Sequence, residues 1–239
     1  FIKEAKRLGA DYIATGHYAR IKDGKLLRAV DANKDQTYFL CQLNQKQLQA
    51  SLFPLGNITK QEVRKIAEDL NLPVAHKKDS TGICFIGERD FKQFLQNYIP
   101  AKPGKMVDIQ TGKVIGDHIG IMYYTIGQRK GLGISNKVPL FVLGFNRAKN
   151  EVIVGEEKEL YKSELEVKDI NLLLFDKIED WLEVEVKTRY SARQAKAKIV
   201  QDGEKIKVKF DEPQRSITPG QSAVFYIGDI VVGGGKIYI

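Results

Sequence analysis

Two cysteines in the chain, Cys84 and Cys41, differ in what their surroundings allow. Cys84 ends the run His76-Lys77-Lys78-Asp79-Ser80-Thr81-Gly82-Ile83 and leads into Phe85-Ile86-Gly87. The thiolate is the reactive form of cysteine, and nearby positive charge lowers the thiol pKa. Lys77, Lys78 or Arg89 supplies that charge if the loop folds back. The same residue also reads as a small buried hydrophobe between Ile83 and Phe85. Cys41 follows Tyr38-Phe39-Leu40 with no basic or polar neighbour before Gln42. It reads as core packing.

Four further stretches carry residues suited to nucleotides. Thr15-Gly16-His17 follows an apolar strand, and glycine lets a ligand approach the backbone closely; His17 also suits an ordinary strand end. Asn33-Lys34-Asp35-Gln36-Thr37 offers side chains for phosphate and base-edge contacts, or simply a helix cap. Tyr123-Tyr124-Thr125-Ile126-Gly127-Gln128-Arg129-Lys130-Gly131 interleaves aromatics, glycines and cations. Aromatic faces stack on unpaired bases while Arg and Lys hold phosphates, but a strand ending in a basic turn has the same composition. Lys187, Arg189, Arg193, Lys196 and Lys198 lie in twelve residues without an acid, around Tyr190. This is either a positive patch or the solvated face of a hairpin.

The elements that must position these residues change character along the chain. Phe1 to Leu8 reads as a helix stopped by Gly9, and an opening inside a helix without Met points to a natural N-terminus further upstream. Tyr12-Ile13-Ala14 is a short strand, and a strand running into a Gly-containing turn is an α/β pattern. Lys22-Asp23-Gly24-Lys25 marks a hairpin, and Asn33 to Leu43 reads as helical from an Asn or Asp cap. Thr59-Lys60-Gln61-Glu62 is a capping box, followed by Val63, Ile66, Ala67 and Leu70 as one buried helical stripe. A second helix covers Asp90 to Tyr98, with Phe91, Phe94 and Leu95 facing inward. From Lys105 the pattern is mostly strand. Val184 and Val186 alternate with Glu183, Glu185 and Lys187; Ile206, Val208 and Phe210 alternate with Lys205, Lys207 and Lys209. Period two with one wet face argues for antiparallel strands, about six of them, in a small closed or partly closed barrel.

Charge and cysteine usage narrow the class. The 239 residues carry a net charge of +8. Residues 100–150 hold 8 Lys and Arg against 2 Asp and Glu, whereas residues 160–239 balance at 13 each. A basic middle suits RNA or DNA, and equally a solvated face. Two cysteines make no disulfide framework, so a reducing cytoplasm is the default. Three histidines and no C-x-x-C spacing argue against a structural metal site. No apolar run approaches bilayer length.

Taken in series, six stretches resemble one family, the tRNA-specific 2-thiouridylases: ATGHYAR (Ala14–Arg20), NKDQTYFL (Asn33–Leu40), DSTGICFIGERDF (Asp79–Phe91), YYTIGQRKGLGI (Tyr123–Ile134), RYSARQ (Arg189–Gln194) and TPGQSAVFY (Thr218–Tyr226). The resemblance implies an α/β plus β architecture. Residues 1–87 would be the C-terminal part of an adenine-nucleotide α-hydrolase-like, Rossmann-like domain of the PP-loop type. Residues 88–159 would be a small, mainly-β tRNA-binding domain, and 160–239 a C-terminal β-barrel.

It implies a chemistry as well. ATP, with Mg accompanying it, adenylates the C2 oxygen of the wobble uridine, and a cysteine persulfide then delivers sulfur to C2 as AMP leaves. Cys84 matches the second of the family's two cysteines, which carries the persulfide or resolves it by disulfide formation. Gly16 matches a backbone contact to ATP. His17, Lys34, Asp35, Gln36, Arg189, Tyr190 and Gln221 match tRNA contacts. The implied partners are the anticodon arms of Lys-, Glu- and Gln-type tRNAs and a cysteine desulfurase or sulfur-relay protein, with the chain acting as a cytoplasmic monomer.

Three other classes compete. A non-catalytic RNA-binding module with a translation-factor-like barrel explains the charge but not the Cys84 loop. An adenylating ligase for a small metabolite would not need the basic middle or the barrel. A thiol-redox pair of Cys41 and Cys84 fits no redox spacing. The family's SGGxDS-type phosphate loop and its first cysteine are not among these residues. An ATP- and sulfide-dependent thiolation assay on the 239-residue chain should therefore show no turnover; normal turnover would refute this assignment of the missing parts.

Overall fold

The computed structural model describes residues 1–77 and 91–238. The N-terminal stretch contains α1 (Ile2–Arg7), β1 (Ile13–Ala14), β2 (Ala19–Lys22), β3 (Lys25–Arg28), α2 (Thr37–Leu40), α3 (Gln45–Gln49), β4 (Ser51–Leu52) and α4 (Lys60–Asp69). Gly9 ends α1 with φ of 83°. β1 and β4 pair in parallel, Ile13 opposite Ser51. β2 and β3 form the expected hairpin, with Asp23 and Gly24 both at positive φ, as a tight hairpin turn requires.

Two helix expectations are corrected. The segment from Asn33 is helical only over Thr37–Leu40, and its N-cap is Gln36, which makes no side-chain cap. Asp35 is not free to cap in the usual way because its carboxylate is held elsewhere (below). The capping box at α4 is present, with Thr59 Oγ1 accepting from the Glu62 N–H and the Glu62 carboxylate accepting from the Thr59 N–H. Its apolar stripe is not buried, however. Ile66 and Leu70 are 48% and 64% exposed, and no residue of the helix is buried. Capping and spacing are local and form the helix; burial needs a partner, and no described element covers that face.

The central stretch forms a compact unit of its own, residues 78–162 with 213–217. It comprises α5 (Phe91–Gln96), β5 (Gly104–Asp108), β6 (Val114–His118), β7 (Phe141–Asn146) and β8 (Glu151–Gly155). The strands make a four-stranded sheet in the order β6-β5-β8-β7, with β5 and β8 parallel. Met106, Leu132, Leu140, Val142, Val152 and Val154 form its core.

The last third supplies β9 (Tyr161–Leu172), β10 (Leu182–Lys187), β11 (Ala195–Asp202), β12 (Lys205–Arg215), β13 (Ser222–Ile227) and β14 (Ile230–Tyr238). They run in the order β13-β10-β11-β12-β9-β14, and β13 pairs with β14 to close a six-stranded barrel. The alternation read from sequence is kept: Ile206, Val208 and Phe210 are buried while Lys205, Lys207 and Lys209 face away. β14 contains Gly233-Gly234-Gly235. A Cβ at Gly233 would lie 2.3 Å from the Asn171 carbonyl oxygen, and one at Gly235 would lie 2.5 Å from that of Lys168, so the approach of β9 requires glycine there.

The barrel and residues 1–77 belong to one compact unit. β9 occupies the edge of β14 only as far as Gly233, opposite Leu172. The free start of β14 is taken by β3, with Ile230 opposite Leu27, so the β2–β3 hairpin extends the barrel sheet. The outward face of β13 is then covered. Val224 and Tyr226 join Val231 and Leu173 in one core with Ala19, Leu26, Tyr38, Leu40, Cys41, Leu48 and Phe53.

Candidate functional site

Three segments meet in this unit, and each is held by the chain's own polar atoms. The first follows β1. Thr15 Oγ1 and His17 Nδ1 are 2.9 Å apart, and the His17 ring meets Phe53 edge to face at 6.1 Å. Gly16 is exposed; a Cβ built there would touch only Leu55 Cδ1 at 3.9 Å, so the backbone at this point is open to a ligand.

The second segment is 33–40. The Tyr18 N–H donates to Gln36 Oε1 and the Gln36 N–H donates to the Tyr18 carbonyl, both at 2.9 Å, which ties His17 to the Lys34-Asp35-Gln36 turn. Asp35 is only 5% exposed. Its carboxylate accepts from the Ala29 N–H at 3.1 Å, the Thr37 N–H at 3.4 Å and the Thr37 hydroxyl at 2.8 Å. It braces the turn from inside, whereas Lys34 and Gln36 reach its surface.

The third segment is the β10–β11 loop with the turn before β13. Arg189 Nη2 donates to Thr218 Oγ1 at 2.7 Å, and the Gln221 N–H donates to the Thr218 carbonyl at 3.3 Å. Tyr190 lies against Phe39, with ring centroids 4.6 Å apart and planes inclined by 33°. Tyr38 sits behind them at 6.2 Å from Tyr190 and donates its hydroxyl to the Ser222 carbonyl. The Lys187 Nζ stands 5.4 Å from the Tyr190 ring centre.

His17, Lys34, Gln36, Arg189, Tyr190 and Gln221 thus belong to one chain of contacts, although 204 positions separate the first from the last. Phe39 completes it. At 58% exposed it is the most open member of the aromatic group, with Tyr190 at 39%. The sequence offers Phe39 only as one residue of the apolar run that precedes Cys41. In the four-residue α2, Tyr38 and Leu40 take the buried positions and Phe39 faces out. Lys196 and Lys198 lie on the exposed face of β11, and Lys198 pairs with Glu183 at 3.3 Å, so that part of the basic run is a solvated strand face.

In the central unit, Tyr123 ends a short 3-10 turn and not a strand. The glycines at 127, 131 and 133 all have positive φ and fold the Tyr123–Gly131 segment into turns, with Arg129 and Lys130 exposed. Cys84, Lys78 and Arg89 lie outside the described residues.

Cys41 is 1% exposed, as core packing requires, and burial pushes its thiol pKa up to about 11. Its peptide carbonyl accepts from Asn171 Nδ2 at 2.7 Å, which fastens the end of α2 to β9.

The class of the protein follows from comparison of these parts with known families. A model described as tRNA methyl transferase HUP domain matches residues 1–88, one described as tRNA methyl transferase PRC-barrel domain matches 92–156, and one described as Aminomethyltransferase beta-barrel domain matches 162–237. The tRNA-specific 2-thiouridylase MnmA of Clostridium botulinum (strain Alaska E43 / Type E3) is 51% identical over 244 residues, covering 99% of this chain and 67% of that protein. Its counterpart in strain Eklund 17B / Type B is 50% identical over the same span. The chain belongs to the tRNA-specific 2-thiouridylase family.

The pKa of Cys41 makes a prediction with a definite sign. Its folded value lies above the unfolded value of 9.0, so the folded state holds the proton longer. The stability this contributes is complete below pH 9 and is lost as pH rises toward 11. In native Cys84→Ser protein at pH 8, iodoacetamide should leave Cys41 unmodified and should alkylate it only after denaturation. Rapid native labelling would show that the α2–β13 core opens.

Proposed function

We propose that this chain carries the tRNA-docking and sulfur-handling parts of a tRNA 2-thiouridylase acting on the wobble uridine. The observation that supports this best is that the segments bearing His17, Lys34 and Gln36 and those bearing Arg189, Tyr190 and Gln221 are linked through Phe39 and Tyr190 within one compact unit. Lys34 and Arg189 suit phosphates, Gln36 and Gln221 suit base or ribose edges, and Tyr190 on Phe39 suits an unstacked base. Asp35 serves as a positioning residue. The exposed backbone at Gly16, two residues beyond β1, is where the adenine nucleotide would approach.

In this reading, attack of uridine O2 on the α-phosphate of ATP releases pyrophosphate and converts C2–O into a bond that can leave with AMP. The terminal sulfur of a cysteine persulfide attacks C2, and the C–S bond forms as C–O breaks. One of the family's two cysteines carries that persulfide and the other attacks its inner sulfur, with Cys84 in either role; the disulfide forms as the S–S bond to the transferred sulfur breaks, leaving that sulfur on C2. The persulfide would be loaded by a cysteine desulfurase or a relay protein. Mg would accompany ATP, and the substrates would be Lys-, Glu- and Gln-type tRNAs. The chain would act as a monomer in the cytoplasm, with residues 1–87, 88–159 and 160–239 as its three functional parts.

The rival RNA-binding module without chemistry shares the docking face and parts company at Cys84. In the full-length protein, Cys84→Ser should lower thiolation at least about 1000-fold while leaving tRNA affinity within about twofold of the unmodified protein. Thiolation at the normal rate would favour the non-catalytic reading.

A further inference from the structure

The β10–β11 loop has a second face. Beyond Tyr190 lies an open groove of about 670 Å³ whose charged lining includes Arg20, Arg28, Lys187 and Arg193. Three acids also line it, and two of them, Asp229 and Asp35, are engaged. Asp229 accepts from Arg20 Nη2 at 2.8 Å and pairs with Arg28 Nη2 at 3.2 Å. The Asp35 carboxylate is taken by Ala29 and Thr37. Glu185 stands opposite Lys196 in the β10–β11 register. Among the described residues, neither Lys187 nor Arg193 has a carboxylate within ion-pair distance. Burial pushes the Lys187 pKa down, the Asp35 charge works against that, and Arg28 adds to it. Two more donors, Arg28 Nε and Gln194 Nε2, are buried without a partner. A half-buried cation without a carboxylate partner, beside further cations in an open groove, is a setting that an anion improves.

We propose that this groove holds a backbone phosphate of the RNA strand whose base reaches the Phe39–Tyr190 pair, with Lys187 and Arg193 as the phosphate ligands. The inference rests on the tRNA-docking reading above and extends it to residues outside the six contacts. A nucleic acid is favoured over an acidic peptide because the groove continues into a stacking surface: Lys187 lines the one and stands 5.4 Å from the Tyr190 ring centre of the other. A single strand presents that alternation of base face and phosphate.

The test measures binding of an unmodified tRNA transcript with a wobble uridine to the full chain across 50–200 mM KCl. Arg193→Gln and Lys187→Gln should each lower the salt slope by roughly 0.7–0.9 and weaken binding about 3- to 10-fold, irrespective of RNA sequence. Lys187→Arg should restore the slope. Lys209→Gln, on an exposed strand position of β12, should change neither quantity. Arg193 is exposed, so its replacement should leave the melting temperature unaltered. Unchanged slopes in both groove variants while wild type binds tRNA would overturn the proposal and leave the docking reading standing. So would a variant-sensitive site for inorganic phosphate or an acidic peptide with RNA slopes unchanged. Equal losses in Lys209→Gln would reduce the effect to net charge and also overturn it. Failure of the wild-type chain to bind tRNA at all would sink the docking reading itself.

Discussion

Burial of the outer face of β13 beneath residues 19–53 is the contact on which the rest of this structure depends. A barrel strand ordinarily presents one face to the interior and one to water. In β13, Ala223 and Phe225 point in, while Val224 and Tyr226 point out and are nevertheless buried. They meet Leu26 of β3, Tyr38 and Leu40 of α2, and Cys41. The shared core has eleven buried side chains. Each large apolar one contributes about 1.5–3 kcal/mol on burial, whereas a backbone hydrogen bond such as that from the Arg28 N–H to Asp229 nets about 1 kcal/mol. Packing holds the hairpin to the barrel, and the strand pairing fixes its register. The price of burying Tyr226 is met by its hydroxyl, 3.3 Å from that of Thr37.

Register has a functional consequence. With Leu27 opposite Ile230, the turn after β3 comes back over the barrel, and Asp35 gathers the Ala29 and Thr37 N–H groups around one carboxylate. That leaves Lys34 and Gln36 half-exposed at the surface of the turn, with Gln36 tied to Tyr18, and brings Phe39 to Tyr190. A shift of one residue would exchange the faces of the hairpin and separate these groups. The α/β part and the barrel therefore jointly carry the residues of the proposed docking face.

Much of this was legible in the chain before any coordinates. The β2–β3 turn at Asp23-Gly24, the capping box at Thr59 and the strict alternation around Ile206, Val208 and Phe210 are local signals, and local physics decides them. What stayed hidden was non-local. The outward burial of Val224 and Tyr226 depends on a segment nearly 200 residues away. The exposure of Phe39 follows from which side of a one-turn helix that segment needs. The stripe Val63-Ile66-Ala67-Leu70 has the spacing of a buried face, yet spacing names no partner, and the stripe is open among the described residues. The ion pairs of Arg20 and Arg28 with Asp229, which line the groove, join residues some 200 positions apart and leave no mark in composition.

Native-state hydrogen exchange at the Arg28 amide tests the shared core most directly. This amide donates to the Asp229 carbonyl at 2.9 Å across the hairpin–barrel seam. If packing makes one body, it should exchange with the same opening free energy and denaturant dependence as Val224 and Phe225 in the barrel. Exchange through a separate opening of lower energy, with β13 still protected, would show the hairpin to be a loose flap and would contradict the single shared core.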